Sequence, residues 1–577
     1  MTTQLAGHLL VECLVAQGVT HAFGVPGESF LAVLDGFHAY KDDIEFVINR
    51  QEGGAAFMAE AAGKLTGRPG VCFVTRGPGA TNASIGVHTA FQDSTPMVLF
   101  VGDVASDTRD REAFQEVNYL SFFGPSTGGM AKRVERIDDA KRIPEYVARA
   151  FATAMNGRPG PVVIVLPEDM LTQMVDATPL PKMKPVEAWI APELANLLRE
   201  MLLKAERPLV IAGGSGWTVQ AAQALQRFAE NWSLPVGNAF RFQDTFDNFH
   251  PLYAGDVGIG INPKLAARIK QSDLVIAIGP RLGEMTTSGY TLLQAPKSAQ
   301  KLVHIHASAE ELGRVYQADL AIQASMSSAA FSLEKLVAPP VCNWKQWSID
   351  ANQDYKNNID PANGGLKLPG TIDMPAIIAT LQKHLPADAV LTNGAGNFAS
   401  WLHRFYQYHG LAKGFKTQLA PTNGAMGYGV PAGIAANILT KNAKTGQRVA
   451  FTIAGDGDFM MNGQELATAA QVGAKSIVLL LNNGMFGTIR MHQEREYPQN
   501  VSGTKLANPD FAGLARAYGY AGVCITHTEQ FEAELIAALA RPQGTLIEVT
   551  LNPEVISTRG SLAQITQNAL ANAAKPT

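Results

Sequence analysis

Four cysteines in 577 residues, Cys13, Cys72, Cys342 and Cys524, form no C-x-x-C pair and no cluster. That spacing argues against a disulfide framework and a structural zinc, and fits a reducing compartment. Charge is also scarce: 17% of residues are charged and the net charge is −4. Nothing in that balance favours nucleic acid or an anionic membrane as a partner. No apolar run approaches the roughly 18 residues a membrane helix needs. The opening Met-Thr-Thr-Gln-Leu-Ala-Gly-His lacks the basic-then-apolar pattern of a secretory signal. The expectation is a cytoplasmic protein acting on small molecules. Hydrophobic residues (46%) and glycine (54) are plentiful. They are enough for several buried cores, and a length divided by about 150 suggests three or four domains.

Short β-branched runs alternate with helical patterns almost throughout. Examples are Glu45–Ile48, Val71–Thr75, Met97–Val101, Val162–Leu166, Leu209–Ala212, Leu274–Ile278, Leu302–Ile305, Val449–Ile453 and Ser476–Leu481. Continuous apolar strands separated by helices predict parallel sheets covered on both faces, an α/β architecture. Proline-rich residues 176–192 and polar, broken residues 337–370 read as linkers. They divide the chain into three doubly wound parallel-sheet domains at 1–175, 190–336 and 368–552, with an Ala/Asn/Gln-rich tail at 553–577. The first and third are alike in length and strand density, as a duplicated fold would be.

The apolar run Val449–Ile453 leads into Gly455-Asp456-Gly457, and 24 residues lie between Gly457 and Asn482-Asn483 at the end of the next strand. Ligands of parallel sheets bind at the carboxyl ends of strands, and a single crossover makes two strands neighbours. Asp456 and Asn483 therefore offer hard oxygen ligands suited to Mg²⁺ or Ca²⁺, and phosphate oxygens and water commonly fill the other positions of an octahedral Mg²⁺. Gly455 and Gly457 let backbone N–H groups approach a phosphate. Gly-Asp-Gly alone would most often be a capped turn; the paired asparagines at this spacing make a Mg²⁺-diphosphate site the sharper reading.

The motif resembles that of the thiamine diphosphate-dependent enzymes. The resemblance implies Asp456 and Asn483 as side-chain metal ligands and Met485 as a ligand through its backbone carbonyl. Asp458 stands where many relatives have a small residue. The stretch T-N-G-A-M-G-Y-G-V-P-A-G-I-A (422–435) looks like the segment that grips the aminopyrimidine ring. Gly424 would bind the 4′-amino group through its carbonyl, and Met426 would wedge the cofactor into a bent shape. A methionine is more often simple core filler; its place two residues after Gly424 argues otherwise. N-G-A-G-N-F-A-S-W (393–401) resembles a diphosphate loop, with Gly396 and Asn397 near the phosphates. The chemistry also needs a carboxylic acid at N1′ of the pyrimidine. Glu52, following a strand and opening a small-residue helix, matches the family's catalytic glutamate. Without that match, an acid placed by the helix dipole would be the better reading. Glu60, two turns on, is the weaker candidate.

Arg76–Val98, Gly24–Phe30 and Ala113–Glu116 closely resemble the acetolactate synthase group, with benzaldehyde lyase-like carboligases nearby in the family. Phe114 and Gln115 would line the substrate side. Precedent puts the active site between two subunits of a homodimer or homotetramer. The match departs in three places. His492 stands where that group has a bulky tryptophan selecting the second substrate. His88 stands where it usually has a small residue. In the central domain, Leu282-Gly283 and His306 replace the usual acids, which leaves FAD open as a cofactor beside thiamine diphosphate and Mg²⁺. The implied reaction is decarboxylation of a small 2-oxo acid such as pyruvate, then addition to a second carbonyl. Alternatives are a 2-oxo acid decarboxylase or an aldehyde lyase on the same fold. A non-catalytic relative would be expected to have lost Glu52, Asp456 or Asn483. A NAD-dependent dehydrogenase would need a G-x-G-x-x-G turn, which residues 211–217 do not supply.

Overall fold

The computed structural model describes residues 3–364, 368–441 and 446–573. Three six-stranded sheets, each parallel throughout, organise them. The first contains β1 (His21–Gly24), β2 (Glu45–Ile48), β3 (Gly70–Val74), β4 (Met97–Asp103), β5 (Arg133–Arg136) and β6 (Pro161–Pro167), in spatial order β2-β1-β3-β4-β6-β5. The second contains β7 (Pro208–Ala212), β8 (Val236–Ala239), β9 (Tyr253–Val257), β10 (Leu274–Ile278), β11 (Lys301–His306) and β12 (Leu320–Gln323), ordered β9-β8-β7-β10-β11-β12. The third contains β13 (Val390–Asn393), β14 (Gln418–Leu419), β15 (Ala450–Gly455), β16 (Ile477–Asn482), β17 (Ala521–Ile525) and β18 (Thr545–Thr550), ordered β14-β13-β15-β16-β18-β17. The first and third sheets share one topology. The middle sheet has the strand order of the doubly wound dinucleotide-binding fold.

The helices bearing on the site are α1 (Glu52–Thr66), α2 (Gly77–Asp93), α3 (Gly429–Leu439), α4 (Asp456–Asn462), α5 (Leu466–Val472), α6 (Gly487–Glu496) and α7 (Leu562–Ala573). The chain groups into two compact units. One runs to Val186 and takes in two later stretches, from Pro421 to before Arg448 and from Asn462 to Ala474. The other holds the central and third sheets.

In the first unit α1 is a central helix: every residue from Gly53 to Gly63 is buried. Its small residues permit close approach of neighbours. A Cβ on Gly86 of α2 would come within 2.3 Å of the Ala56 Cβ. Helix α3, buried from Gly429 to Asn437, packs on α1, and Tyr428 meets Phe57 edge-on at 5.4 Å. The first linker carries no helix or strand over 176–191. It is pinned by Gln17, whose side chain donates to the carbonyls of Leu180 and Pro181 and accepts from the Met183 amide at 2.8 Å.

The second linker differs from expectation. Within 337–370 (365–367 lie outside the described residues), Lys345–Ile359 is a helix. It buries Ser348, Ala351, Asn352 and Tyr355, one stripe at helical spacing, and Tyr355 packs edge-on against Tyr253 at 4.7 Å. The stripe is small and polar rather than aliphatic, so the segment looks like linker. Of the tail, α7 is helical and residues 574–577 lie outside the described residues.

Candidate active site

In the first unit, Glu52 is the first residue of α1 and is half-buried. The preceding Gln51 caps the helix, accepting from the Gly54 amide at 3.1 Å. Asn82, in the second turn of α2, donates from Nδ2 to Glu52 Oε2 at 2.9 Å. Gly79 leaves room beside Glu52: a Cβ there would stand 3.5 Å from Oε1.

Glu60 sits differently. It is fully buried and spent on neighbours: Thr95 Oγ1 donates at 2.6 Å, Tyr428 Oη at 2.5 Å, and Lys64 Nζ lies 3.2 Å away. Lys64 also pairs with Asp93, which accepts from the backbone and hydroxyl of Thr422. Burial pushes the Glu60 carboxyl up, with Lys64 opposing it. For Lys64 burial lowers the ammonium, but the carboxylates of Asp93 and Glu60 outweigh it and the net shift is upward. Glu60 thus fastens the segment from Pro421 to the first sheet's helices.

That segment carries Gly424 and Met426. Gly424 is exposed with φ +70°, a conformation that side chains rarely adopt. Met426 is half-buried. Asn423, just before them, reaches α2: its Nδ2 lies 3.0 Å from Thr89 Oγ1 and 3.2 Å from His88 Nδ1. Its Oδ1 accepts from Ala425 N. His88 therefore contacts the turn that presents Gly424.

Phe114 and Gln115 lie on the loop after β4. Phe114 is 75% exposed, and Gln115 has φ +64°. The loop is held by Glu116, which accepts from the amides of Asp110 and Ala113 at 2.7 and 2.9 Å. The Gly77 amide, opening α2, donates to the Gln115 carbonyl at 2.9 Å. Below this loop is a cavity of about 390 Å³ lined in part by Asp103, Arg109, Glu116, Tyr119 and Arg136.

In the second unit, β15 and β16 are adjacent, with Gly455 opposite Leu481 in register. Asp456 and Asn482 thus follow side by side at the carboxyl edge. Asp456 is buried; its Oδ1 accepts from Gly457 N, and its Oδ2 from Gly484 N and Asn508 Nδ2, all at 2.8 Å. Asn508 also donates to Asn482 Oδ1 at 2.8 Å, while Asn482 Nδ2 donates to Glu548 at 2.8 Å. Asn483 is half-buried, and Met485 forms an isolated bridge with Lys505. The donor set available at this edge, a carboxylate, an amide oxygen and a backbone carbonyl, is the hard oxygen chemistry that fits Mg²⁺.

Asp458 packs onto the loop after β13. Its Oδ1 accepts from Ala395 N at 3.2 Å and occupies the space that a Cβ on Gly394 would need, 2.0 Å away. Gly396 has φ +153°. Asn397 is tied to α6: its amide donates to Thr488 Oγ1 at 2.9 Å, and its Nδ2 to the Ile556 carbonyl at 3.0 Å. His492 lies exposed on α6. That helix is backed by α7, where Thr566 donates to Glu494 at 2.9 Å.

The structure therefore gathers Glu52, Gly424, Met426, Phe114 and Gln115 in one unit, and Gly396, Asn397, Asp456, Asp458, Asn483, Met485 and His492 in the other. Three polar side chains escaped sequence reading: Asn82, Asn508 and Glu465. Asn82 lies inside the recognised stretch Arg76–Val98. For Asn508 and Glu465 no local signal existed, because each acts on residues distant in sequence.

Models of the thiamine pyrophosphate enzyme family match the chain in three parts. The N-terminal TPP binding domain matches residues 5–122, the central domain 196–333 and the C-terminal TPP binding domain 394–549. The chain is 30% identical over 561 residues to the acetolactate synthase large subunit of Parasynechococcus marenigrum, covering 94% of this chain and 86% of that one. It is 30% identical over 545 residues to the acetolactate synthase isozyme 2 large subunit of Escherichia coli K12, covering 94% and 95%. It is 30% identical over 538 residues to the large subunit from Corynebacterium glutamicum, covering 90% and 82%.

Proposed function

The chain belongs to the thiamine pyrophosphate-dependent enzymes of the acetolactate synthase large-subunit family, and from that premise we propose that it is a carboligase of small 2-oxo acids. Pyruvate is the proposed donor, losing carbon dioxide before its remaining two-carbon unit joins a second carbonyl. The observation that carries the reading is the edge formed by Asp456 and Asn482-Asn483 at the ends of neighbouring parallel strands.

Thiamine diphosphate, when bound, supplies the electron sink for the carbanion left by decarboxylation. The chain's own residues do the rest. Asp456, Asn483 and the Met485 carbonyl would hold Mg²⁺, with Gly455 and Gly457 beside the diphosphate. Gly396 and Asn397 would border the phosphates, and Asp458 keeps their loop in place through Ala395. Gly424 would fix the aminopyrimidine by its carbonyl, with Met426 as the prop. Glu52 holds and returns the proton, and Asn82 aims its carboxylate. Phe114 and Gln115 border the reacting carbonyl, their loop fixed to the start of α2.

The active assembly is proposed as a homodimer or homotetramer with sites shared between subunits, in the cytoplasm. In the central sheet, Gly216 (φ +87°) and Gly283 follow β7 and β10 with open space where a Cβ would stand. That room and the strand order suit a dinucleotide. FAD is the candidate, checked by flavin absorbance of the purified protein.

His492, exposed on α6, favours a second reading in which the two-carbon unit takes up a proton instead of a second carbonyl, or the carbon-carbon bond of a hydroxy-ketone is broken, giving a decarboxylase or an aldehyde lyase. Purified protein supplied with thiamine diphosphate, Mg²⁺ and pyruvate decides. Acetolactate or acetoin from wild type, lost by about 10²-fold or more in Glu52→Gln, is the expected result. Acetaldehyde alone would replace it with the decarboxylase reading. No turnover on a panel of 2-oxo acids would overturn both.

A further inference from the structure

We infer that Glu465 is the positioning residue for Glu52: its carboxylate gathers the turn Asn49–Gln51 and thereby sets where Glu52 leaves the start of α1. The inference rests on the proposed proton-carrying role of Glu52.

Glu465 belongs to the Asn462–Ala474 stretch of the first unit and is fully buried. Its Oε1 accepts from the amides of Arg50 and Gln51 at 3.1 and 3.0 Å. Its Oε2 accepts from Asn49 Nδ2 at 3.0 Å and Thr468 Oγ1 at 2.6 Å. Three of those four donors come from the three residues immediately before Glu52. Two positions after it, a Cβ on Gly54 would stand 2.6 Å from Glu465 Oε1. The carboxylate thus bounds the helix start from both sides of Glu52.

A buried carboxylate without a cation is tolerated only where its lone pairs are filled. Here the filling groups are mostly backbone and amide N–H. The Arg50 guanidinium turns elsewhere, to the Ile48 carbonyl at 3.0 Å and Gln471 Oε1 at 2.7 Å. Burial pushes the Glu465 carboxyl up, and the four donors pull against it. A side chain serving only to attach the stretch could use any apolar contact. A charge aimed at two successive backbone amides fixes the path of that backbone. Glutamine at this place has the same shape but one acceptor oxygen, so either the Arg50–Gln51 amides or Asn49 would face an NH₂ group.

The test compares full-length wild type, Glu52→Gln, Glu465→Gln and Thr468→Val. Calorimetry with thiamine diphosphate and Mg²⁺ reports cofactor affinity. Deuterium exchange at the acidic thiazolium C–H of the bound cofactor, read by NMR, reports proton transfer without any substrate. Amide exchange in the peptide 49–54, read by mass spectrometry on cofactor-free protein, reports the turn. Glu465→Gln is expected to keep cofactor affinity within about threefold while thiazolium exchange slows on the order of tenfold to a hundredfold. Its 49–54 amides should exchange faster. Thr468→Val should move both readouts the same way by less. Thiazolium exchange at the wild-type rate in folded Glu465→Gln would overturn the inference. So would slowing that merely follows a loss of cofactor affinity. If Glu465→Gln does not fold, wild-type exchange in Thr468→Val overturns it. Exchange that Glu52→Gln fails to slow would instead sink the role of Glu52 itself, whatever Glu465 does.

Discussion

Single side chains decide most at the sheet edge. Asp456 accepts three hydrogen bonds, two on Oδ2 and one on Oδ1, which leaves a lone pair of Oδ1 for a further partner. Asp456→Asn keeps the shape, removes the charge and turns an NH₂ toward a donor. Titration with thiamine diphosphate at fixed Mg²⁺ should show affinity weaker by roughly two orders of magnitude. Raising Mg²⁺ should recover part of the loss, and an unchanged affinity would remove Asp456 from the proposed metal site. At this scale the sequence was informative where partners lie close in the chain or at a recurrent spacing. Asp456 and Asn482-Asn483 bracket one crossover and were legible. Asn508 and Glu465 were not, because folding brings them to Asp456 and to residues 49–51 from far along the chain. Glu60 shows the opposite error that spacing invites. It lies on the same helix as Glu52, yet burial and its bonds to Thr95, Tyr428 and Lys64 make it a fastening rather than a site.

Among the elements, α1 depends on that fastening. Lys64→Met would leave Glu60 and Asp93 buried without their cation, at a cost of about 3–5 kcal/mol. The pH dependence has a definite sign. Glu60 is raised in the folded chain, so its contribution is fullest below the ordinary carboxylate range and falls as pH rises through its folded value. With Lys64 gone, the opposing pull is lost and Glu60 moves higher still. Melting temperature in Lys64→Met should therefore decline as pH rises above the ordinary carboxylate range, whereas wild type stays flatter there. A parallel pair of profiles would contradict this. The loop after β13 offers a second case. Gly394→Ala places a Cβ against Asp458 Oδ1 and should cost about 1–3 kcal/mol. Asp458→Ala in the same chain should return part of that, a coupling that urea unfolding of the four-member cycle measures. Strict additivity would show that the two do not meet. Elements were legible when they were unbroken aliphatic runs such as Val71–Val74 or Leu274–Ile278. Strands β1 (H-A-F-G) and β8 (V-G-N-A) are interior too, but glycine, histidine and asparagine hide them. The Lys345–Ile359 helix has the period of a buried stripe without its hydrophobicity.

For the whole molecule, three parallel sheets followed from alternating strands and helices, and the shared order of the first and third sheets gives the expected duplication a topological basis. What chain order could not reveal is that the stretches from Pro421 and from Asn462 group with the first sheet. They separate Gly424 and Met426 from Asp456 although a few dozen residues or fewer lie between. Glu52 and Asp456 thus belong to different units of one chain. If sites are shared between two copies, each site draws Glu52 from one chain and Asp456 from the other. Chains carrying Glu52→Gln and Asp456→Ala would each be inactive alone. A mixed dimer would then pair the two intact residues at one of its two sites, so random mixing should restore about a quarter of wild-type activity. The mixture should be made by co-expression with different affinity tags, and the doubly tagged fraction assayed. That fraction should carry roughly half the wild-type rate per dimer. Sites built from a single chain predict no recovery at all, because every site would then hold one of the two substitutions.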